Sequence, residues 1–356
     1  MKQLLLYCRA GFEKECAAEI QDKAGQQGVA GFCKVKPNSA FVVFEAFDAK
    51  VLNWFYRRFK LSDLIFTRQW VLLSGDLLEL PAGDRVNPVV MLALEAGIKE
   101  AGSIRLEYPD TNQGKELSNL ARKLTVPLRQ SLRSSGVLKL KEDLTAPVIH
   151  VFMLSGTEAY VGMSYPANNS PLENGIRRLK FPADAPSRST LKLEEAFLEF
   201  IPKDEWETRL ASGMNAVDLG ACPGGWTYQL VKRSMMVVSI DNGAMADSLM
   251  DTGQVRHLMV DGFKYKPDRK NVYWLVCDMI EKPQRVGKLI CDWLINGWCQ
   301  ESIFNLKLPM KKRYETVQEV LTEMQDTLKA AGIKAQFQAK HLYHDREEVT
   351  VHLCKG

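Results

Sequence analysis

The nine residues from Asp218 to Trp226, "DLGACPGGW", constrain this chain more than any other stretch. They follow the apolar, strand-like "MNAV" and run into "WTYQLVKRS", which reads as a helix. A strand that turns through glycines into a helix opens a crossover connection, and crossovers build parallel sheets. The following sequence agrees: strand-like runs at 215–220, 236–241, 256–260, 272–278 and 301–307 mostly alternate with amphipathic segments. Two further runs, "KAQFQAKHL" and "EEVTVHL", are separated only by "YHDR" and must pair antiparallel. The expected fold class is therefore α/β over residues 185–356, a Rossmann-like, mostly parallel seven-stranded sheet.

The glycines also bear on the ligand. A Walker phosphate loop needs a lysine after its final glycine, and Trp226 follows Gly225. The dinucleotide fingerprint needs glycine two residues after Gly220, and Cys222 stands there. What remains is D-x-G-x-x-x-G-G through Ala221, Cys222 and Pro223. Gly220 permits the turn, and Gly224 and Gly225 are expected to let a ligand approach the backbone at a helix start. Asp218 is placed to accept from an ammonium group. Asp241 ends the next strand, where an acidic residue binds ribose hydroxyls in such sheets, and Asp261 closes the third, suited to an adenine amino group. Three carboxylates at successive strand ends suit a cationic, adenosine-bearing ligand.

At these residues the chain resembles a family. "DLGACPGGWTYQL" is similar to the cofactor motif of the FtsJ-type ribose 2′-O-methyltransferases, which bind S-adenosylmethionine in a doubly wound sheet. Patterns for other target atoms are missing: "LVCDMIEKP" has neither the Pro-Pro-aromatic motif of amino-group enzymes nor a cysteine placed as in cytosine-C5 enzymes. Cys222, inside the cofactor turn, reads as a packed thiol rather than a nucleophile. The resemblance implies a Lys-Asp-Lys-Glu set, carried by Lys192 in "SRSTLKLEE", Asp278, Lys307 in "NLKLP" and Glu348 in "DREEVTV", with Glu347 one residue away. Asp278 also borders the cofactor, and Ser189 is either a helix cap or a cofactor contact. A lysine near pKa ~10.4 is a poor base. Lys307 is the expected general base, with burial and Lys192 lowering its value. No metal is expected: the five histidines and eight cysteines show no ligand spacing.

Residues 1–165 must serve something else. Residues 1–80 read as a small ferredoxin-like α/β unit, 81–165 as a second unit, and 166–184 as a turn-rich linker. Pro127 is expected to kink or interrupt the long helix of the second unit. The net charge of +4 announces no nucleic-acid binder, so local charge must decide. Lys115, Arg122, Lys123, Arg129 and Arg133, with Lys139 and Lys141, face a single acid between 115 and 141. That is a solvated helix face or a phosphate-tracking surface, and it loosely resembles a THUMP-like RNA-binding module. Lys311, Lys312 and Arg313 follow the Lys307 strand and are candidates for substrate phosphates.

Together with "YCRAGFEKECAAEI" near the start, these motifs resemble the bacterial large-subunit ribosomal RNA 2′-O-ribose methyltransferases of the M type. The resemblance implies 23S rRNA as partner, before or during subunit assembly, and a cytidine as target. The competing readings are a methyltransferase acting on tRNA or a base atom, and a non-catalytic RNA-binding protein with a degenerate methyltransferase fold. No signal peptide or membrane span is read, so a cytoplasmic monomer is expected.

Overall fold

The computed structural model describes residues 1–356 and divides the chain into two compact units, Met1–Ile176 and Arg177–Gly356. The first contains β1 (Gln3–Tyr7), α1 (Glu13–Gln26), β2 (Gly31–Val35), β3 (Phe41–Ala46), α2 (Ala49–Arg58), β4 (Gln69–Leu73), β5 (Leu78–Glu79), α3 (Asn87–Glu95), β6 (Ser103–Glu107), α4 (Asn112–Glu116), α5 (Ser118–Ser134), β7 (Val148–Met153) and β8 (Glu158–Ser164). Seven of its strands lie in the order β2-β3-β1-β4-β8-β7-β6, and β5 pairs with β8. Residues 1–80 and 81–165 share this sheet, because Leu72 and Leu73 of β4 pair with Met163 and Gly162 of β8. β1, "QLLLY", has strands on both sides and is buried at every position, which accounts for its unbroken apolar run.

Two expectations change here. The long helix continues through Pro127; the break falls earlier, at Leu117 between α4 and α5. Leu128 and Leu132, just beyond the proline, belong to the same buried apolar cluster as Val89, Ile149 and Val161, and burial of that face offsets the one missing N–H. The turn-rich stretch after β8 is fastened to the first unit. The Asn168 amide donates to the carbonyls of Tyr56 and Phe59 and accepts from the Leu61 N–H, and Arg105 donates to the carbonyls of Ser170, Pro171 and Leu172.

The second unit contains α6 (Thr190–Phe200), α7 (Trp206–Arg209), β9 (Asn215–Leu219), α8 (Gly225–Val231), β10 (Met236–Ile240), α9 (Asp247–Met250), β11 (Val255–Leu258), β12 (Trp274–Cys277), α10 (Pro283–Ile295), β13 (Glu301–Lys307), α11 (Arg313–Ala330), β14 (Ala335–Lys340) and β15 (Glu348–Lys355). Its seven-stranded sheet has the order β11-β10-β9-β12-β13-β15-β14. The first five are parallel to one another, and β15 runs antiparallel to both β13 and β14. From β9 the chain moves outward through β10 and β11, then returns to place β12 on the other side of β9. That reversal opens a crevice at the carboxyl ends of β9 and β12, where open α/β sheets bind ligands. β11 ends at Leu258 rather than 260, so Asp261 lies three residues beyond the strand, in a turn where its carboxylate accepts from the Phe263 N–H.

Candidate active site

The crevice is a cavity of about 590 Å³, a size typical of small-ligand sites. Its wall includes Ser189, Lys192, Gly220, Cys222, Asp241, Asp261, Asp278 and Lys307. Asp241 is held in place by two backbone donors, the N–H groups of Cys222 (3.0 Å) and Gly243 (2.8 Å). Apolar wall comes from Ile240, Val260, Phe263, Met279 and Ile280. Three carboxylates beside an apolar surface suit a ligand with a positive centre, a diol and a flat base, and S-adenosylmethionine has all three. Asp241 and Asp261 would hold its nucleoside part. Ser189 makes no capping hydrogen bond to α6; its hydroxyl donates to Ser187 and borders the cavity.

The glycines of the motif also meet demands of the protein's own packing. Gly220, at φ +78°, makes the turn and lines the cavity. Gly224, Gly225 and Pro223 lie outside the wall. A Cβ on Gly224 would sit 2.2 Å from Leu249 Cδ1, and one on Gly225 would sit 2.0 Å from Ser189 Oγ. Close packing of α8 against neighbouring protein by itself requires glycine at both positions. Asp218 is also outside the wall: it is wholly buried and accepts from the Thr227 hydroxyl at 2.7 Å, while its Oδ1 has no partner. Burial pushes its carboxyl up to about 7. Its contact with Thr227 ties the end of β9 to the start of α8.

The remaining candidates converge. Lys192 is in the first turn of α6, Asp278 follows β12, Lys307 ends β13 and Glu348 begins β15. Lys307 and Glu348 stand opposite each other in the β13–β15 register. Lys307 Nζ lies 2.6 Å from Asp278 Oδ1 and 2.5 Å from Glu348 Oε2; Lys192 Nζ lies 3.2 Å from Asp278 Oδ2 and 2.5 Å from Glu348 Oε1. The four charges form a closed, neutral ring. Glu347 is 63% exposed and pairs with Arg313 instead, which sets it apart from the ring.

The charge state of Lys307 differs from expectation. Burial alone lowers its pKa, but the attraction and hydrogen bonds of Asp278 and Glu348 together outweigh burial and raise it above the usual lysine value. Both carboxylates bridge Lys307 to Lys192, so the expected lowering by a neighbouring lysine does not prevail. Burial likewise pushes the Asp278 carboxyl up, but Lys192 and Lys307, with the Asn305 amide, pull it below the ordinary aspartate value.

Sequence reasoning passed over Asn305 and Thr350, which stand opposite each other two residue pairs behind the ring on the same strand face as Lys307 and Glu348. The period of two along each strand was the available signal. Of the basic candidates, Lys115, Arg122, Lys123 and Arg129 are exposed on α4 and α5, and Arg122 and Arg129 are two turns apart on one helix face. Arg133 is half-buried and donates to the Lys139 carbonyl. Lys311 and Lys312 are exposed, and Arg313 opens α11. No helix is long and apolar enough to cross a membrane, and no cluster of three or more metal-binding side chains occurs.

Three family models match the chain: a ferredoxin-like domain of RlmM over residues 1–71, the N-terminal region of ribosomal RNA large subunit methyltransferase M over 84–165, and an FtsJ-like methyltransferase over 185–344. Ribosomal RNA large subunit methyltransferase M of Photorhabdus laumondii subsp. laumondii is 60% identical over 353 residues, covering 99% of this chain and 96% of its own. The protein of the same name from Yersinia enterocolitica is 60% identical over 351 residues, covering 99% and 95%. Among solved structures, TrmN from Thermus thermophilus aligns over all of both chains at 16% identity with a TM-score of 0.37, too slight a likeness to bear on the site. With relatives matching it from end to end and an FtsJ-like domain around the crevice, this chain belongs to the ribosomal RNA large subunit methyltransferase M family and is an S-adenosylmethionine-dependent methyltransferase.

Proposed function

We propose that the chain methylates the ribose 2′-oxygen of a cytidine in 23S rRNA, before or during assembly of the large subunit, with Lys307 as the general base. The observation that carries the reading is the closed ring of Lys192, Asp278, Lys307 and Glu348, three of which line the crevice. S-adenosylmethionine, when bound, supplies an electrophilic methyl group and a positive sulfonium. The protein must remove the proton from a hydroxyl that is a weak acid and hold its oxygen in line. Lys307 Nζ is the proton acceptor once it is neutral, and it gives up its proton more readily when a further positive charge lies in the adjoining cavity. Lys192 then remains to balance Asp278 and Glu348, whose bridging contacts keep both amines aimed at one spot. A cysteine nucleophile has no support: burial pushes the Cys222 thiol up to about 11, so it stays protonated at neutral pH.

Lys115, Arg122, Lys123 and Arg129 on the first unit, and Lys311 and Lys312 beyond β13, are the surfaces assigned to RNA phosphates.

The test uses labelled S-adenosylmethionine with deproteinised 23S rRNA, assembled large subunits, tRNA and DNA. Alkali does not cleave beside a methylated 2′-oxygen. Label in alkali-resistant dinucleotides from the rRNA, lost in Lys307→Ala, is the expected result. Label confined to mononucleotides would mean a base atom is the target and would overturn the assignment.

A further inference from the structure

Behind the ring lies a line of wholly buried polar side chains whose hydrogens can be counted. Asn305 Nδ2 donates to Asp278 Oδ1 at 2.9 Å. Asp278 also accepts from both lysines, so it is ionised and only accepts. That fixes the Asn305 amide: its nitrogen faces Asp278 and its oxygen faces Thr350. The Thr350 hydroxyl lies 2.7 Å from Asn305 Oδ1, an atom that cannot donate, so the single hydroxyl proton goes there. Thr350 Oγ1 is also 3.0 Å and 2.9 Å from the two oxygens of Asp345. Having spent its proton, it can only accept from them. Asp345 Oδ2 already takes the Leu342 N–H at 3.0 Å, which leaves Oδ1 to carry a proton.

We propose that Asp345 is a carboxylic acid, and that its proton sets the direction of the chain Asp345–Thr350–Asn305–Asp278, which positions the Asp278 carboxylate between Lys192 and Lys307. The surroundings agree. Asp345, Thr350 and Asn305 are fully buried, and the charges that act most on Asp345 are those of Glu348 on β15 and Glu195 on α6. Burial first, then those two carboxylates, push the Asp345 carboxyl well above the ordinary range. Asp345 touches no reacting atom, so it is a positioning residue; its link to catalysis rests on the assignment of Lys307 and Asp278 above.

The first test needs no substrate. The infrared difference spectrum of the full chain, wild type minus Asp345→Asn, at neutral pH should show a carboxylic acid carbonyl band that shifts in heavy water. Asp218 cancels in the difference. Carboxylate bands in place of the acid band would overturn the proposal whatever the enzyme methylates. The second test is single-turnover methyl transfer. Asn at 345 donates to Thr350 and accepts from Leu342 as the acid does, so Asp345→Asn should stay within about twofold of wild type. Thr350→Val, which keeps the shape and removes the hydroxyl, should slow transfer about tenfold or more with KM for S-adenosylmethionine unchanged. A slow Asp345→Asn, or a Thr350→Val variant as fast as wild type, would refute the positioning role. Loss of Lys307 without effect on ribose methylation would instead refute the catalytic assignment and leave the infrared result standing.

Discussion

Glu348→Gln separates charge from contact in the ring. The wild-type ring has two ammonium groups and two carboxylates and is neutral; the glutamine variant carries one net positive charge. Glu348 Oε2 is 2.5 Å from Lys307 Nζ, and the side chains are 8% and 20% exposed, so solvent screens the pair weakly. A carboxylate at such range raises a lysine by about one to three pKa units. Its removal should lower Lys307 by that amount and enlarge the neutral fraction at neutral pH by about 10- to 1000-fold. Against this stands the loss of a charge-assisted hydrogen bond that orients the amine, about 1.5–3 kcal/mol, or roughly 10- to 100-fold in rate. The two effects offset each other near neutrality. They diverge with pH, because the charge effect vanishes once Lys307 is neutral in both proteins while the orientation loss remains. The sign is fixed: Lys307 is raised in the wild type, so its rate climbs with pH into the alkaline range, and the variant's climb ends earlier. Single-turnover transfer, with product release removed from the measurement, should give a variant-to-wild-type ratio that falls steadily from neutral to alkaline pH. A ratio constant across that range would show that Glu348 does not govern the titrating group, and the general-base assignment of Lys307 would lose its main electrostatic support.

Gly224→Ala should destabilise the second unit by about 1–3 kcal/mol, because the residue sits at φ +116° and the new methyl would meet Leu249 Cδ1 at 2.2 Å and Met245 Sδ at 2.7 Å. Thermal unfolding with and without S-adenosylmethionine checks this; a variant as stable as wild type but unable to bind would restore the ligand-approach explanation of that glycine. Replacing Arg122, Lys123 and Arg129 together by alanine should weaken rRNA binding and flatten its salt dependence by up to about 0.7–0.9 in log-log slope for each phosphate no longer neutralised. An unchanged slope would reduce the basic helix to a solvated face.

The parallel part of the fold was legible because its periodicities are strong. The runs of β9, β12 and β13 are buried almost throughout, and the short connection from β14 to β15, seven residues in the structure, permits only an antiparallel partner. Errors arose where tertiary packing overrides a local rule. Pro127 sits in an unbroken helix because the apolar face around Leu128 is buried, and β11 stops before Asp261 because the turn at 261–263 takes over the hydrogen bonding. The family resemblance nominated Lys192, Asp278, Lys307 and Glu348; the last three lie at strand ends that the sheet topology carries to one edge, while Lys192 comes from the first turn of α6. Residue types could not give the function of the glycines: close approach to a ligand and close approach to Leu249 or Ser189 impose the same demand for hydrogen in place of Cβ.

The ionisation of Lys307 was out of reach for a related reason. A pKa depends on which charges stand nearest, and that order is set by side-chain geometry across four separate elements. From sequence, a second lysine beside the first implies repulsion and a lowered value. In the folded ring each ammonium meets two carboxylates before it meets the other ammonium, and attraction at 2.5–2.6 Å prevails. The same arrangement resolves the apparent conflict with a role as base. A neutral ring tolerates the loss of one proton best when a cation adjoins it, so Lys307 is restrained while the crevice lacks a positive ligand and is released when one arrives. On the proposed assignment of Lys307 as base, methyl-donor binding and its deprotonation are linked equilibria. The affinity for S-adenosylmethionine should accordingly rise with pH toward the Lys307 titration, while that for the uncharged-sulfur product S-adenosylhomocysteine should rise less; equal pH dependence for the two would break the link.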